Sequence, residues 1–288
     1  MEHVSGRYYV PHGTRWPILG SAGLFMLMLG AALWLNESRV GPLVAGLGAL
    51  AVAIMAFGWF ATVIAESERG LYNEQVDHSF RWGMSWFIFS EVVFFGVFFG
   101  TLFYARQLVV PWLAGEGNNF FTHLLVWPDF ENAWPSAGPN TSRESFEVMG
   151  PWGVPALNTA ILLTSGVTIT IAHHLLRAGR RVGVAVWLAL TWLLGAAFIV
   201  FQAEEYIYAY TELGLRFDTG IYGATFFMLT GFHGLHVTLG TVMLIVVWLR
   251  VLRGHFTADR HFAFEAVAWY WHFVDVVWLG LFIFVYWL

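Results

Sequence analysis

The chain has 288 residues, of which 58% are hydrophobic and only 11% charged. Soluble domains carry about a quarter charged residues, so this composition excludes a water-covered globule and indicates a multi-span membrane protein. The formal net charge is −5, with no basic patch that would suggest nucleic acid.

Two missing residue types exclude further classes. With no Cys there is no disulfide, iron–sulfur cluster, thiolate copper or zinc site, or CxxCH haem attachment. All 14 basic residues are Arg. Without Lys there is no Schiff base to retinal or pyridoxal phosphate and no Walker A lysine.

A spanning helix needs about 20 mostly apolar residues, because the hydrocarbon core is about 30 Å thick and the helix rises about 1.5 Å per residue. Seven segments qualify in chain order: Trp16–Leu35, Val40–Ala65, Trp82–Ala105, Gly153–Leu176, Gly183–Phe201, Thr219–Leu249 and Phe264–Leu288. The fold class expected is therefore an all-α integral membrane protein with seven transmembrane helices.

The first segment follows Arg7 and Arg15, as a signal sequence would. It is too long for a usual signal core and lacks a small-residue cleavage site, so it is expected to be a retained span. The sixth is long for one crossing and predicts tilt or projection. The last run ends in a Tyr286-Trp287 pair suited to an interfacial aromatic belt. The one sizeable extramembrane piece is the outer loop at about 106–152, rich in Pro, Gly, Asn and acids. It predicts a binding loop or packing for a partner.

Arginines set the orientation. Seven spans put the N-terminus on the same side as the second, fourth and sixth loops. That side holds ten: Arg7, Arg15, Arg69, Arg81, Arg177, Arg180, Arg181, Arg250, Arg253 and Arg260. The other side holds four: Arg39, Arg106, Arg143 and Arg216. Positive charge stays inside, which predicts a cytoplasmic N-terminus and a periplasmic C-terminus.

Ionisable groups at membrane depth usually face a bundle interior or a cavity. Glu91 lies in the third span among aromatic residues. His233 and His236 lie mid-way along the sixth, and His272 and Asp275 mid-way along the seventh. Each of these pairs is spaced i, i+3 and so shares a helix face. Four readings stay open on the residues alone: haem or metal ligation, a proton relay through Glu91, a neighbouring His and Asp275, interhelical hydrogen bonds that satisfy buried polar groups, or contact with lipid or a partner subunit. Low-dielectric surroundings favour a neutral Glu91 carboxyl, which can donate one hydrogen bond. Glu91 and His236 sit at similar depth and are expected to hydrogen-bond across the third and sixth spans.

His173 and His174 close the fourth span beside Arg177, Arg180 and Arg181. They read as a solvated basic helix end or as an anionic-lipid site. Glu204 and Glu205 end the fifth span and read as a polar edge or a partner contact. Gly41, Gly46 and Gly48, and Gly223, Gly231, Gly234 and Gly240, are expected to permit close helix approach. Gly96 and Gly100 form a G-x-x-x-G pair, a weak signal by itself.

Several runs together resemble cytochrome c oxidase subunit III. They are Phe232-His233-Gly234-Leu235-His236, the stretch from Ala268 to Trp278 containing Trp269-Tyr270-Trp271-His272-Phe273-Val274-Asp275, and Ser90-Glu91-Val92-Val93-Phe94-Phe95. Leu157-Asn158-Thr159, Ser165-Gly166, Ala172-His173-His174 and the stretch from Gln202 to Tyr206 add to them. The matches touch all spans from the third to the seventh, in family order.

The resemblance implies helices one and two as one group (1–70), leaning away from a five-helix bundle (71–288), with a phospholipid-filled cleft between them. It implies a subunit with no metal or redox centre of its own. Haem and copper would belong to partner subunits, subunit I being the main contact and subunit II also present, with cytochrome c reached through the complex. The complex would reduce oxygen and translocate protons in a bacterial inner membrane. This chain would stabilise the catalytic subunit and support proton uptake, and its cleft is a proposed route for oxygen in the family. Glu91 matches the family's carbodiimide-reactive glutamate, and His233, His236, His272 and Asp275 are its candidate hydrogen-bond partners. Arg250, Trp59, His173 and His174 are expected to meet lipid. The chain departs from the family at Ala65, where many relatives carry Arg, and at Tyr72-Asn73-Glu74-Gln75, which replace His-rich positions. A quinol oxidase subunit, or an independent proton or ion transporter using Glu91, His236 and Asp275, are the alternative functions.

Overall fold

A computed structural model describes residues 9–10, 13–139 and 146–288. Arg7 and Arg143 of the arginine count lie outside the described residues. Among the described residues the fold is all-α, and seven helices are long and apolar enough to cross a membrane. In chain order the helices are α1 (Trp16–Leu35), α2 (Gly41–Glu68), α3 (Glu74–Tyr104), α4 (Val110–Leu113), α5 (Phe120–Val126), α6 (Val154–Arg177), α7 (Arg181–Thr211), α8 (Ile221–Arg253) and α9 (Phe262–Leu281). A π-helical turn, Ala105–Val109, joins α3 to α4, and another, Phe282–Trp287, extends α9. The spans are α1, α2, α3 continued through α4, and α6 to α9.

Two spans run further than hydropathy alone indicates. α3 begins at Glu74 rather than near Trp82. Asn73 caps it, its Oδ1 accepting from the Val76 N–H at 3.0 Å, and Arg81 pairs with Asp77 one turn away at 2.8 Å. These local bonds carry a polar first turn and a half that no apolar count would include. α7 continues ten residues past Phe201, to Thr211. The reason is tertiary: Gln202 and Glu205 are buried by other helices rather than left at a polar edge.

The chain divides into two compact units, residues 1–82 and 83–288. In the first, α1 and α2 pack closely on glycine. Gly30 lies against the Ala45 backbone, Gly48 against Leu27 and Gly41 against Trp34, so a Cβ at any of them would collide with main chain. Gly46 faces open space. The Trp16 indole N–H donates to Thr62 Oγ1 at 3.1 Å. Beyond α2, Glu66 accepts from two tyrosines, Tyr72 at 2.7 Å and Tyr9 at 3.1 Å. Burial and the adjoining Glu66 carboxylate raise the Tyr72 hydroxyl pKa well above its ordinary value. Tyr72, one of the departures from the family pattern, thus has a structural partner of its own.

The second unit holds the core. Trp271, fully buried on α9, seats its ring against Gly240 of α8 and Gly195 of α7, and its indole N–H donates to Ser165 Oγ of α6 at 2.8 Å. One side chain therefore fixes four helices. Trp278 repeats the device two turns further along α9, donating to Thr159 Oγ1 at 2.9 Å and meeting Phe198 edge-on. Hydroxyl pairs tie neighbouring helices, Thr168 to Thr191 at 2.8 Å and Tyr206 to Thr230 at 2.7 Å. Gly96, Gly100 and Gly234 open onto free space, and Gly231 has only the Tyr206 hydroxyl near it, so these four do not mediate close approach within the chain. The outer loop folds back on the bundle. Phe146 stacks on Tyr222 of α8, Trp134 meets the same ring edge-on, and the Glu147 N–H donates to the Leu213 carbonyl at 2.8 Å.

Candidate functional site

Glu91 sits near the middle of α3 and His236 near the middle of α8. Glu91 Oε2 and His236 Nε2 are 2.9 Å apart. The other ring nitrogen, Nδ1, lies 2.6 Å from the Phe232 carbonyl one turn back along α8. A carbonyl can only accept, so Nδ1 carries hydrogen. Nε2 then either accepts from a neutral Glu91 carboxyl or donates to its carboxylate. Either way the pair shares one proton between two positions.

The surroundings hold this pair rigidly. Phe95 meets the His236 ring edge-on at 5.0 Å, and Tyr270 of α9 lies parallel to it at 6.3 Å. The Tyr270 hydroxyl donates to the His236 carbonyl at 3.2 Å. Phe94 closes the near side against Phe232 at 5.0 Å. Aromatic rings thus replace water around a polar couple, which strengthens its electrostatics and makes an unpaired partner costly.

The other intramembrane groups form separate stations. His233 is fully buried between Phe198 and Trp278, and its Nε2–H donates to the Val274 carbonyl of α9 at 3.2 Å. It points away from Glu91 and ties α8 to α9. His272 Nδ1 and Asp275 Oδ2 lie 3.8 Å apart, and His272 Nε2 is 3.3 Å from Thr170 Oγ1 on α6. Asp275 is buried where Gly166 leaves room for it. A Cβ on Gly166 would stand 2.5 Å from Oδ2. Among the described residues, no hydrogen bond joins the Glu91–His236 pair to the His272–Asp275 pair. A continuous relay from Glu91 to Asp275 is not built by direct contacts.

Glu205 departs most from the sequence reading. Glu204 is exposed, but Glu205 is 2% exposed. Its Oε1 accepts from the Tyr286 hydroxyl at 2.6 Å and faces Gln202 Nε2 at 3.5 Å. The signal was present as Gln202, Glu205 and Tyr206 in one helical stretch, since i, i+3 spacing puts Gln202 and Glu205 on one face. Tyr286, 81 residues away, could not be paired with them from the sequence.

Of the positions expected to meet lipid, Trp59 is exposed and stacks on Phe60, and His174 is exposed. Arg250 is buried to 8% exposure, its guanidinium 4.5 Å above the Phe256 ring. His173 turns inward to His261 and Glu265. His261 and Glu265 entered no sequence-level site.

Fold and site together define a polytopic all-α membrane protein with a mid-depth carboxyl–imidazole pair in an aromatic cage. The family model for cytochrome c oxidase subunit III matches residues 7–116 and 118–288. Curated proteins named cytochrome c oxidase subunit 3 align over the whole of this chain and 99% of their own length. The mouse (Mus musculus) protein is 40% identical, the Formosania lacustris protein 39% and the donkey (Equus asinus) protein 38%. The chain belongs to the cytochrome c oxidase subunit III family. It is a multi-pass membrane subunit of an oxidase complex.

Proposed function

We propose that this chain is the subunit of a bacterial cytochrome c oxidase that stabilises the haem–copper subunit I, alongside subunit II, and supports proton uptake by it. The observation that carries this reading is the Glu91–His236 pair, one shared proton held at 2.9 Å inside an aromatic cage. A carboxyl and an imidazole in direct contact exchange a proton without importing charge into the membrane, which suits a group that buffers or positions protons beside a catalytic neighbour. Haem and copper belong, in this reading, to the partner subunits, and cytochrome c donates electrons through them.

Lipid enters the proposal separately at Trp59, at Arg250 and at His174, whose neighbour in sequence is His173. Trp59 offers an exposed indole of the kind that anchors at a membrane interface. Structural phospholipid bound at these separate positions would support catalytic lifetime rather than the chemistry of a single turnover. The arginine count supports an N-terminus in the cytoplasm and a C-terminus in the periplasm, with the bacterial inner membrane as the compartment in this reading. An Arg-only, Ala- and Gly-rich composition supports a bacterial gene of high GC content.

The test is purification and turnover. Affinity-purified protein is expected to bring haem-bearing chains with it. Glu91→Gln is expected to leave haem content and initial oxygen reduction near wild type while lowering proton uptake per electron or the number of turnovers before inactivation. A protein that purifies alone, without haem, and moves protons in vesicles would establish the transporter reading instead. Unchanged proton uptake and unchanged lifetime in Glu91→Gln would remove the role given to the pair.

A further inference from the structure

The end of α6 and the start of α9 bring together three groups that the Glu91 site does not use. His173 is in the last turn but one of α6. His261 precedes the first turn of α9, its carbonyl accepting the N–H groups of Phe264 at 2.9 Å and Glu265 at 3.2 Å. Glu265 follows His261 by one helical turn, so the two share a face. Glu265 Oε1 lies 3.1 Å from His261 Nε2 and 3.5 Å from His173 Nε2. All three ligand-type atoms fall within 4.8 Å of one another.

The arrangement differs from ordinary hydrogen bonding in two ways. First, His261 Nδ1 lies 3.1 Å from the Thr257 carbonyl, which makes Nδ1 the protonated nitrogen and leaves a lone pair on Nε2. That nitrogen faces a Glu265 oxygen, a contact that calls for a positive centre between them, either a proton or a metal ion. Second, the buried Nε2 atoms of both His173 and His261 make no hydrogen bond of proper geometry, although each has Glu265 Oε1 close by.

Ligand spacing suits a metal ion. Four ligands held tetrahedrally at about 2.0–2.1 Å stand about 3.3 Å from each other. The contacts of 3.1 and 3.5 Å bracket that value. Two imidazoles with one carboxylate are a donor set for a borderline divalent ion, with a fourth position for water. The Thr257 carbonyl on Nδ1–H is the outer-shell partner that orients a ligating histidine and fixes its tautomer. Sequence reading expected no metal in this chain. His173 lies 88 or more positions from the other two members, so helical spacing pairs only His261 with Glu265.

We propose that His173, His261 and Glu265 bind one divalent cation of the zinc class and so join the end of α6 to the start of α9. The site lies at the membrane edge, remote from the Glu91–His236 pair at mid-helix.

The test uses the intact oxidase complex, stripped with chelator and equilibrated with metal-buffered zinc. Bound zinc is counted by mass spectrometry against haem, in wild type and in the double variant His173→Ala/His261→Ala. The expected result is one zinc fewer per complex in the variant, and a wild-type-minus-variant zinc X-ray absorption spectrum with imidazole nitrogens at about 2.0 Å. Glu265→Gln is expected to weaken zinc binding at least about tenfold. Equal zinc counts in wild type and the double variant overturn the proposal. If the double variant fails to assemble, Glu265→Gln and the wild-type titration decide. Wild-type complex that takes up no chelator-removable zinc, or zinc affinity unchanged by Glu265→Gln, overturns it equally.

Discussion

At Glu91 the chemistry is set by one neighbour. His236 supplies a nitrogen at 2.9 Å and is itself locked by the Phe232 carbonyl, so the carboxyl keeps a partner whichever group holds the proton. Removing that partner should cost more than changing the acid. His236→Leu leaves the half-buried Glu91 carboxyl with only the 3.4 Å contact from the Ser90 hydroxyl and is expected to destabilise the protein by about 1–3 kcal/mol. Glu91→Gln keeps a donor and acceptor of similar shape, and its loss should stay below about 1 kcal/mol. Thermal unfolding of the purified complex measures both, and equal losses would contradict the pairing. Glu205 behaves the same way. Tyr286→Phe removes the 2.6 Å bond to Glu205 and is expected to cost about 1–3 kcal/mol, whereas Glu204, exposed one position earlier, should tolerate Glu204→Gln within about 0.5 kcal/mol.

Among the helices, small residues matter only where something large occupies the space they leave. Gly240 and Gly195 receive the Trp271 ring, so Gly195→Val should displace the indole from Ser165 and disturb all four helices it contacts. Gly96→Val faces open space within the chain and should leave its own fold intact. Trp fluorescence and melting temperature of the two variants separate these outcomes. At the end of α2, Tyr72 gives a pH dependence with a definite sign. Its hydroxyl ionises at higher pH when folded than when unfolded, so its stabilisation is complete below about pH 10 and declines as pH rises through and beyond that value. The stability difference between wild type and Tyr72→Phe should therefore shrink on the alkaline side and hold steady between pH 6 and pH 9. A difference that grows with alkalinity would reverse the assignment.

For the whole molecule, topology is the property that most directly follows from charge and can be read most cleanly. The chain has no Cys, so a single introduced thiol reports one location without background. Asn118 in the outer loop and Ala178 between α6 and α7 are both exposed. An impermeant maleimide added to intact cells is expected to label Asn118→Cys, and to label Ala178→Cys only after the membrane is opened. The reverse pattern would invert the orientation drawn from the arginines. Much apolar surface remains exposed on the spans, Trp86, Phe89, Val93 and Val97 on α3 among it, as lipid or a partner subunit in the membrane requires.

Length, apolar runs and missing residue types were sufficient to determine the class: seven spanning helices with no thiolate site and no lysine chemistry. Hydropathy works here because the bilayer demands about 20 apolar residues wherever a helix crosses, whatever that helix touches. The same logic placed Glu91 and His236 at similar depth, since the rise per residue is fixed. It could not say that His233, three residues from His236, turns to the Val274 carbonyl instead, nor that Glu205 meets Tyr286, nor that His173, His261 and Glu265 converge. Helical periodicity states which residues share a face. Which face meets which neighbour depends on how Trp271, Trp278 and the glycines beneath them let the helices approach, and that is decided only when the helices pack.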